Sequence, residues 1–226
     1  MTGFGRLLGT VEWIREMESI PRLKDRLHRS IKEWSFFMES KQQKVLRLVF
    51  LSMMIGLGVV ISPILRVEGM CPMAHLINIT CSVMLGPWYS LLCATLIGIL
   101  RMTLMGIPPV ALTGAVFGAL LSGVFYRVSG GKILFAVLGE ILGTGIIGAV
   151  ASYPVMTLWW GKTGLTWLFY VPSFLCGTLI GGTIAFIFLR ALSRGGLLAK
   201  FQKTLGAAVY DKPKSRKEEP ETAGQH

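Results

Sequence analysis

Residues 132–154 read KILFAVLGEILGTGIIGAVASYP, and the fold turns on how this stretch is solvated. Between Lys132 and Pro154 a single charge, Glu140, interrupts a run of apolar and small residues. About 20 such residues are needed for a helix to cross the hydrocarbon layer of a bilayer. Small residues recur in it at Gly139-x3-Gly143 and Thr144-x3-Gly148-x3-Ser152. That spacing lets helices approach closely where lipid and side chain are equally apolar. The stretch reads as a membrane-crossing helix, residues 132–153, ending before Pro154.

The same character extends outward. The chain has 226 residues, 52% of them hydrophobic, with 23 Lys and Arg and 12 Asp and Glu. Between residues 48 and 189 the charges are Arg66, Glu68, Arg101, Arg127, Lys132, Glu140 and Lys162. A soluble domain carries roughly a quarter of its residues as charges, so a region this bare is solvated by lipid. A cytosolic enzyme, a disordered chain and a disulfide-stapled secreted module are excluded. The net charge of +11 flanks the apolar spans, as the positive-inside rule expects. Nucleic acid is therefore not a partner. Cys71, Cys81, Cys93 and Cys176 form no CxxC pair and read as small packing residues. Cys71 and His75, four apart, lack further ligands nearby, so no metal or other cofactor is expected.

Prolines, glycines and charges divide the middle into six spans: 46–65, 72–85, 87–105, 109–127, 132–153 and 165–190. The second is the shortest, and five spans plus a re-entrant segment is the alternative. With the N-terminus inside, nine Lys and Arg flank the cytoplasmic ends against Arg66, Arg101 and Lys162 outside. Trp159, Trp160 and Trp167 then gather at the outer interface. The expected fold is an all-α integral membrane protein, a six-transmembrane-helix bundle with both termini cytoplasmic. Residues 1–44 form an amphipathic cytoplasmic extension, with Leu23, Leu27, Ile31 and Trp34 at helical spacing, and Met38 offers a second candidate start. The membrane domain covers 45–190. A basic tail, 191–226, is partly disordered from Asp211 onward.

Enzyme signatures are missing. Gly130-Gly131-Lys132 has Tyr126 and Ile133 where a P-loop needs Gly and Ser or Thr. With one core carboxylate, a membrane transferase or hydrolase lacks its constellation. The remaining polar core groups are few. Glu140 either bonds a ligand or bridges helices through Thr or Asn, and burying it demands a partner. His75 and Asn78, three apart, share a helix face and suit a neutral polar ligand, or else a helix–helix hydrogen bond. Arg101 is read first as snorkelling to headgroups. Tyr153 and Tyr170 can stack on a small heterocycle or anchor the interface.

Cys71-Pro72-Met73-Ala74-His75-Leu76-Ile77-Asn78, followed by Leu85-Gly86-Pro87-Trp88-Tyr89, resembles the ThiW family. Phe117-Gly118-Ala119-Leu120-Leu121, Leu138 through Ala149 and Ser152-Tyr153-Pro154 continue the likeness in order. It covers roughly residues 45–190 and not the first 40. The resemblance implies the substrate-binding (S) component of an energy-coupling factor (ECF) vitamin transporter in the plasma membrane. Its cargo would be hydroxyethylthiazole or a related thiamine precursor, with thiamine or another vitamin as the alternative. A membrane coupling subunit and two cytoplasmic ATPases would be its partners, which accounts for the missing P-loop. His75, Asn78, Glu140, Thr144, Tyr153 and Tyr170 would form the binding set. Ser52-x3-Gly56 would be the small-residue motif that docks on the coupling subunit.

Overall fold

A computed structural model describes residues 21–63 and 70–210, residues 21–40 by backbone only. Residues 1–20 of the amphipathic extension, Arg66, Glu68 and the tail beyond Tyr210 lie outside the described residues, as do the side chains of Leu23, Leu27, Ile31 and Trp34. The chain divides into two units at Val45–Leu46.

Among the described residues seven helices follow in order. They are α1 (Pro21–Ile61), α2 (Pro72–Leu85), α3 (Pro87–Met105), α4 (Val110–Val128), α5 (Ile133–Trp159), α6 (Val171–Arg194) and α7 (Leu197–Thr204). The second half of α1, Lys41–Ile61, and α3, α4, α5 and α6 are each long and apolar enough to cross a membrane. With 14 residues, α2 rises only about 21 Å. That is shorter than the usual spanning length, so among the described residues five helices, not six, reach it.

The short helix is the centre of the bundle. Pro72 starts it at a position where its missing N–H costs nothing, and Gly86 ends it. With φ 92° and ψ 179°, Gly86 occupies a region that side chains forbid. The chain can therefore turn in one residue into Pro87, the first residue of α3. Eleven of the 14 residues of α2 are buried, packed against α3, α4 and α6.

Glycine governs how closely α4 and α5 cross. A Cβ on Gly143 would lie 2.6 Å from Gly118 Cα, and one on Gly148 would lie 2.9 Å from Gly114 Cα. Gly181 of α6 lies just as tightly over the Pro72 carbonyl and His75 Cβ. The small-residue motifs of these helices are thus consumed inside the bundle. Meanwhile large apolar side chains cover the outside, with Leu158 86% and Val128 83% exposed. An apolar outer surface of this extent is unlike that of a water-soluble protein. The chain is a multi-pass membrane protein.

One boundary differs from the sequence reading. The fifth helix continues through Pro154 to Trp159, because wide π-helical turns at Ile141–Gly148 and Val155–Trp159 accommodate the chain around the proline. The segment between α6 and Asp211 forms α7 against the bundle. Gln202 of α7 is fully buried and donates from Nε2 to the Val83 carbonyl at 2.9 Å and the Tyr126 hydroxyl at 3.0 Å. The Arg47 guanidinium caps the end of α7 through the Leu205 and Gly206 carbonyls.

Candidate functional site

The polar face of α2 carries His75, Asn78 and Ser82, at helical spacings of three and four that align them. Ser82 is spent on structure, donating to Ser90 Oγ at 2.8 Å and to the Ala119 carbonyl at 2.9 Å. The other two turn to Glu140 of α5, which is completely buried. His75 Nδ1 lies 2.9 Å from Glu140 Oε1, and Asn78 Nδ2 donates to the same oxygen at 3.1 Å. Thr144 Oγ1, one turn further along α5, donates to it at 3.1 Å as well. Three groups converge on one oxygen, while Oε2 meets no protein partner. A buried carboxylate is tolerated in such a place because it is paired and hydrogen-bonded.

This convergence depends on Gly118. A Cβ there would strike Thr144 Oγ1 and lie 2.8 Å from the Glu140 carboxyl carbon. The π-helical segment opens directly after Glu140 and contains Thr144. A bare glycine on α4 and a widened turn on α5 therefore seat the network between the two helices.

Beside the network lies a cavity with ≈ 540 Å³ of atom-free space, part of it open to solvent. His75 and Thr144 line it, together with Met70, Cys71, Arg101 and Phe174 and the small or apolar residues Ala74, Ile107, Val110, Ala111, Gly114 and Ala115. Glu140 and Asn78 do not reach its wall. They stand behind His75 and Thr144 and fix the direction in which those side chains present their polar atoms.

The two tyrosines part company. Tyr170 is buried and packs against Phe174 with ring centroids 5.9 Å apart, so it supports a lining residue from behind. Burial pushes its phenol above the ordinary value. Tyr153 instead stacks on Trp167, 4.4 Å between centroids, away from the cavity lining.

Arg101 overturns its sequence reading. It is 4% exposed and lines the cavity instead of reaching headgroups. Its Nη2 donates to Cys71 Sγ at 3.3 Å, and that thiol donates to the Ser62 carbonyl at 2.9 Å. Gly106, with φ 61°, closes α3 just after Arg101, so the arginine lies one turn inside a helix end whose exit leads back over the cavity through Ile107. The expense of a charge in an apolar span was the signal that marked it. Phe174 and Met70, apolar among many apolar residues, carried no such signal.

On the opposite account stand Ser52 and Gly56 of α1. Both are exposed, and a Cβ on Gly56 would meet nothing within 4 Å. Unlike the glycines of α4, α5 and α6, this pair is not used in packing.

No group of three or more His, Cys, Asp or Glu suited to a metal occurs among the described residues. The family model described as thiamine-precursor transporter protein (ThiW) matches residues 48–195, well over half of the chain. No curated protein and no solved structure matches it. The matched segment runs from the apolar half of α1 through the end of α6 and takes in the network and the cavity. The chain belongs to the ThiW family of thiamine-precursor transporters, a family of transport proteins and not of enzymes.

Proposed function

We propose that this protein is the substrate-binding S component of an ECF transporter in the plasma membrane. It takes up hydroxyethylthiazole or a closely related thiamine precursor, energised by two separate cytoplasmic ATPases through a membrane coupling subunit. The observation that carries this reading is the cavity backed by the His75–Asn78–Glu140–Thr144 network. One wall offers an imidazole and a hydroxyl held in fixed orientation, and another offers the Phe174 ring. A small heteroaromatic ring with one polar substituent is complementary to such a site.

The binding set in this proposal is His75 and Thr144 as direct contacts, Asn78 and Glu140 as their positioning residues, and Tyr170 as support for Phe174. Tyr153 drops out of direct contact. Thiamine itself is the weaker choice of cargo, since its thiazolium is cationic and the cavity already holds the Arg101 guanidinium. Ser52 and Gly56 supply the docking face for the coupling subunit, as an open small-residue pair on an otherwise apolar helix.

Calorimetric titration of the purified chain with hydroxyethylthiazole and with thiamine tests the cargo. Saturable binding of the thiazole, tighter than that of thiamine, is the expected result. Clear binding of thiamine or another vitamin without the thiazole would refute the cargo assignment. Co-purification of the tagged chain with ATPase subunits tests the assembly.

A further inference from the structure

Arg101 is a charged side chain, 96% buried, with nothing of opposite charge beside it among the described residues. Among the described residues its side chain makes one hydrogen bond, to the thiol sulfur of Cys71 at 3.3 Å, and its Nε has no partner there. The acidic group inside the bundle, Glu140, is taken up by His75, Asn78 and Thr144 through Oε1 and forms no ion pair with the arginine. The neighbouring cavity residues Ile107, Val110 and Ala111 offer no polar side chain. A guanidinium cannot shed its proton, and its planar fork of donors matches a carboxylate or a phosphate. Burying one without a counter-charge is costly, unless a ligand brings the missing charge to the cavity that the arginine lines.

We infer that Arg101 is an anion-binding residue of the substrate site, and that the preferred cargo is a small heterocycle bearing a carboxylate or phosphate group. The anionic group sits on the Arg101 fork. The ring lies against Phe174 and the apolar wall, and its polar atoms meet His75 and Thr144. The inference rests on the thiazole-binding reading above and narrows it from a neutral alcohol to an anion.

The full chain, in detergent or nanodiscs, is titrated calorimetrically with three probes: hydroxyethylthiazole, its phosphate monoester and the corresponding thiazole acetic acid. At least one anionic probe should bind about tenfold or more tighter than the alcohol, as a charge-assisted forked contact allows. Which one prevails distinguishes phosphate from carboxylate. In R101Q this preference should vanish, with the anions losing about tenfold more affinity than the alcohol does. R101K, which retains the charge without the fork, should retain part of the preference and serves if R101Q does not fold.

An alcohol that binds the native chain as well as both anions overturns the inference. So does an equal loss of all three probes in a folded R101Q, which would make the arginine merely structural. A gain of anion affinity in E68Q would also overturn it, by making Glu68 the guanidinium's own counter-charge. If no thiazole binds at all, the thiazole reading fails separately. Inorganic phosphate and acetate then test Arg101 directly: they should raise the melting temperature of the native chain and not of R101Q, and the absence of that difference overturns the inference.

Discussion

His75 Nδ1 and Glu140 Oε1 meet at 2.9 Å, and this contact ties the 14-residue helix α2 to α5, the 27-residue candidate span. Glu140→Ala removes the acceptor for three buried donors. Each donor left unsatisfied costs about 1–3 kcal/mol, so the variant should melt many degrees lower. Glu140→Gln keeps an oxygen in place and should remain folded, yet lose about tenfold in thiazole affinity as His75 is less firmly held. Thermal unfolding and calorimetry on the two variants separate the effects; equal affinity in Glu140→Gln and native protein would remove Glu140 from the positioning role.

Gly118→Ala places a methyl group against Thr144 Oγ1 and the Glu140 carboxyl. Overpacking of this kind costs about 1–3 kcal/mol, and here it also pushes Thr144 off the cavity wall. Both the melting temperature and the thiazole affinity should fall. A stable variant with native binding would mean that α4 and α5 can separate without cost.

Gly56→Leu makes the opposite case. A Cβ there meets no atom within 4 Å and the position is exposed, so stability and ligand binding should stay within about 0.5 kcal/mol of native, as for a surface change. Co-purification with the coupling subunit should be lost. Retention of the complex in Gly56→Leu and in Ser52→Leu would place docking on another face.

The aromatic residues give a paired comparison. Phe174→Ala strips a ring from the cavity wall and should weaken thiazole binding about tenfold. Tyr153→Ala removes only a stack on Trp167 and should leave affinity unchanged. Fluorescence or calorimetric titration of both would show whether the ligand lies against α6 as argued.

Gln202→Leu tests the anchor of α7. The substitution leaves the Val83 carbonyl without its buried donor, at about 1–3 kcal/mol. Proteolysis near Gly195-Gly196 should accelerate, with ligand affinity little altered; resistance equal to native would mean that Arg47 alone holds the helix.

How much of this was legible beforehand depends on the kind of signal. Glu140, His75, Asn78 and Thr144 stood out because a polar group in a lipid-facing span must find a partner, and the helical period says which share a face. The partners themselves were open, since period within one helix does not specify which helix it meets. Arg101 was misjudged for a related reason: a charge near a helix end can reach out to headgroups or turn inward, and only the exit of the chain at Gly106 and Ile107 decides. Tyr153 and Tyr170 are equivalent in sequence and differ in space because one precedes a proline inside α5 and the other caps α6. The continuation of α5 past Pro154 was hidden because proline ordinarily ends a helix, and wide turns leave no compositional mark.

Those wide turns have a further effect on fit to the bilayer. At ordinary α-helical rise the 27 residues of α5 would extend about 40 Å, against a hydrocarbon core of roughly 30 Å. A π-helical turn packs more residues into each revolution, so Ile141–Gly148 and Val155–Trp159 shorten the rod without removing sequence. Part of the excess length is thereby taken up within the helix, which leaves less of it to be met by tilt.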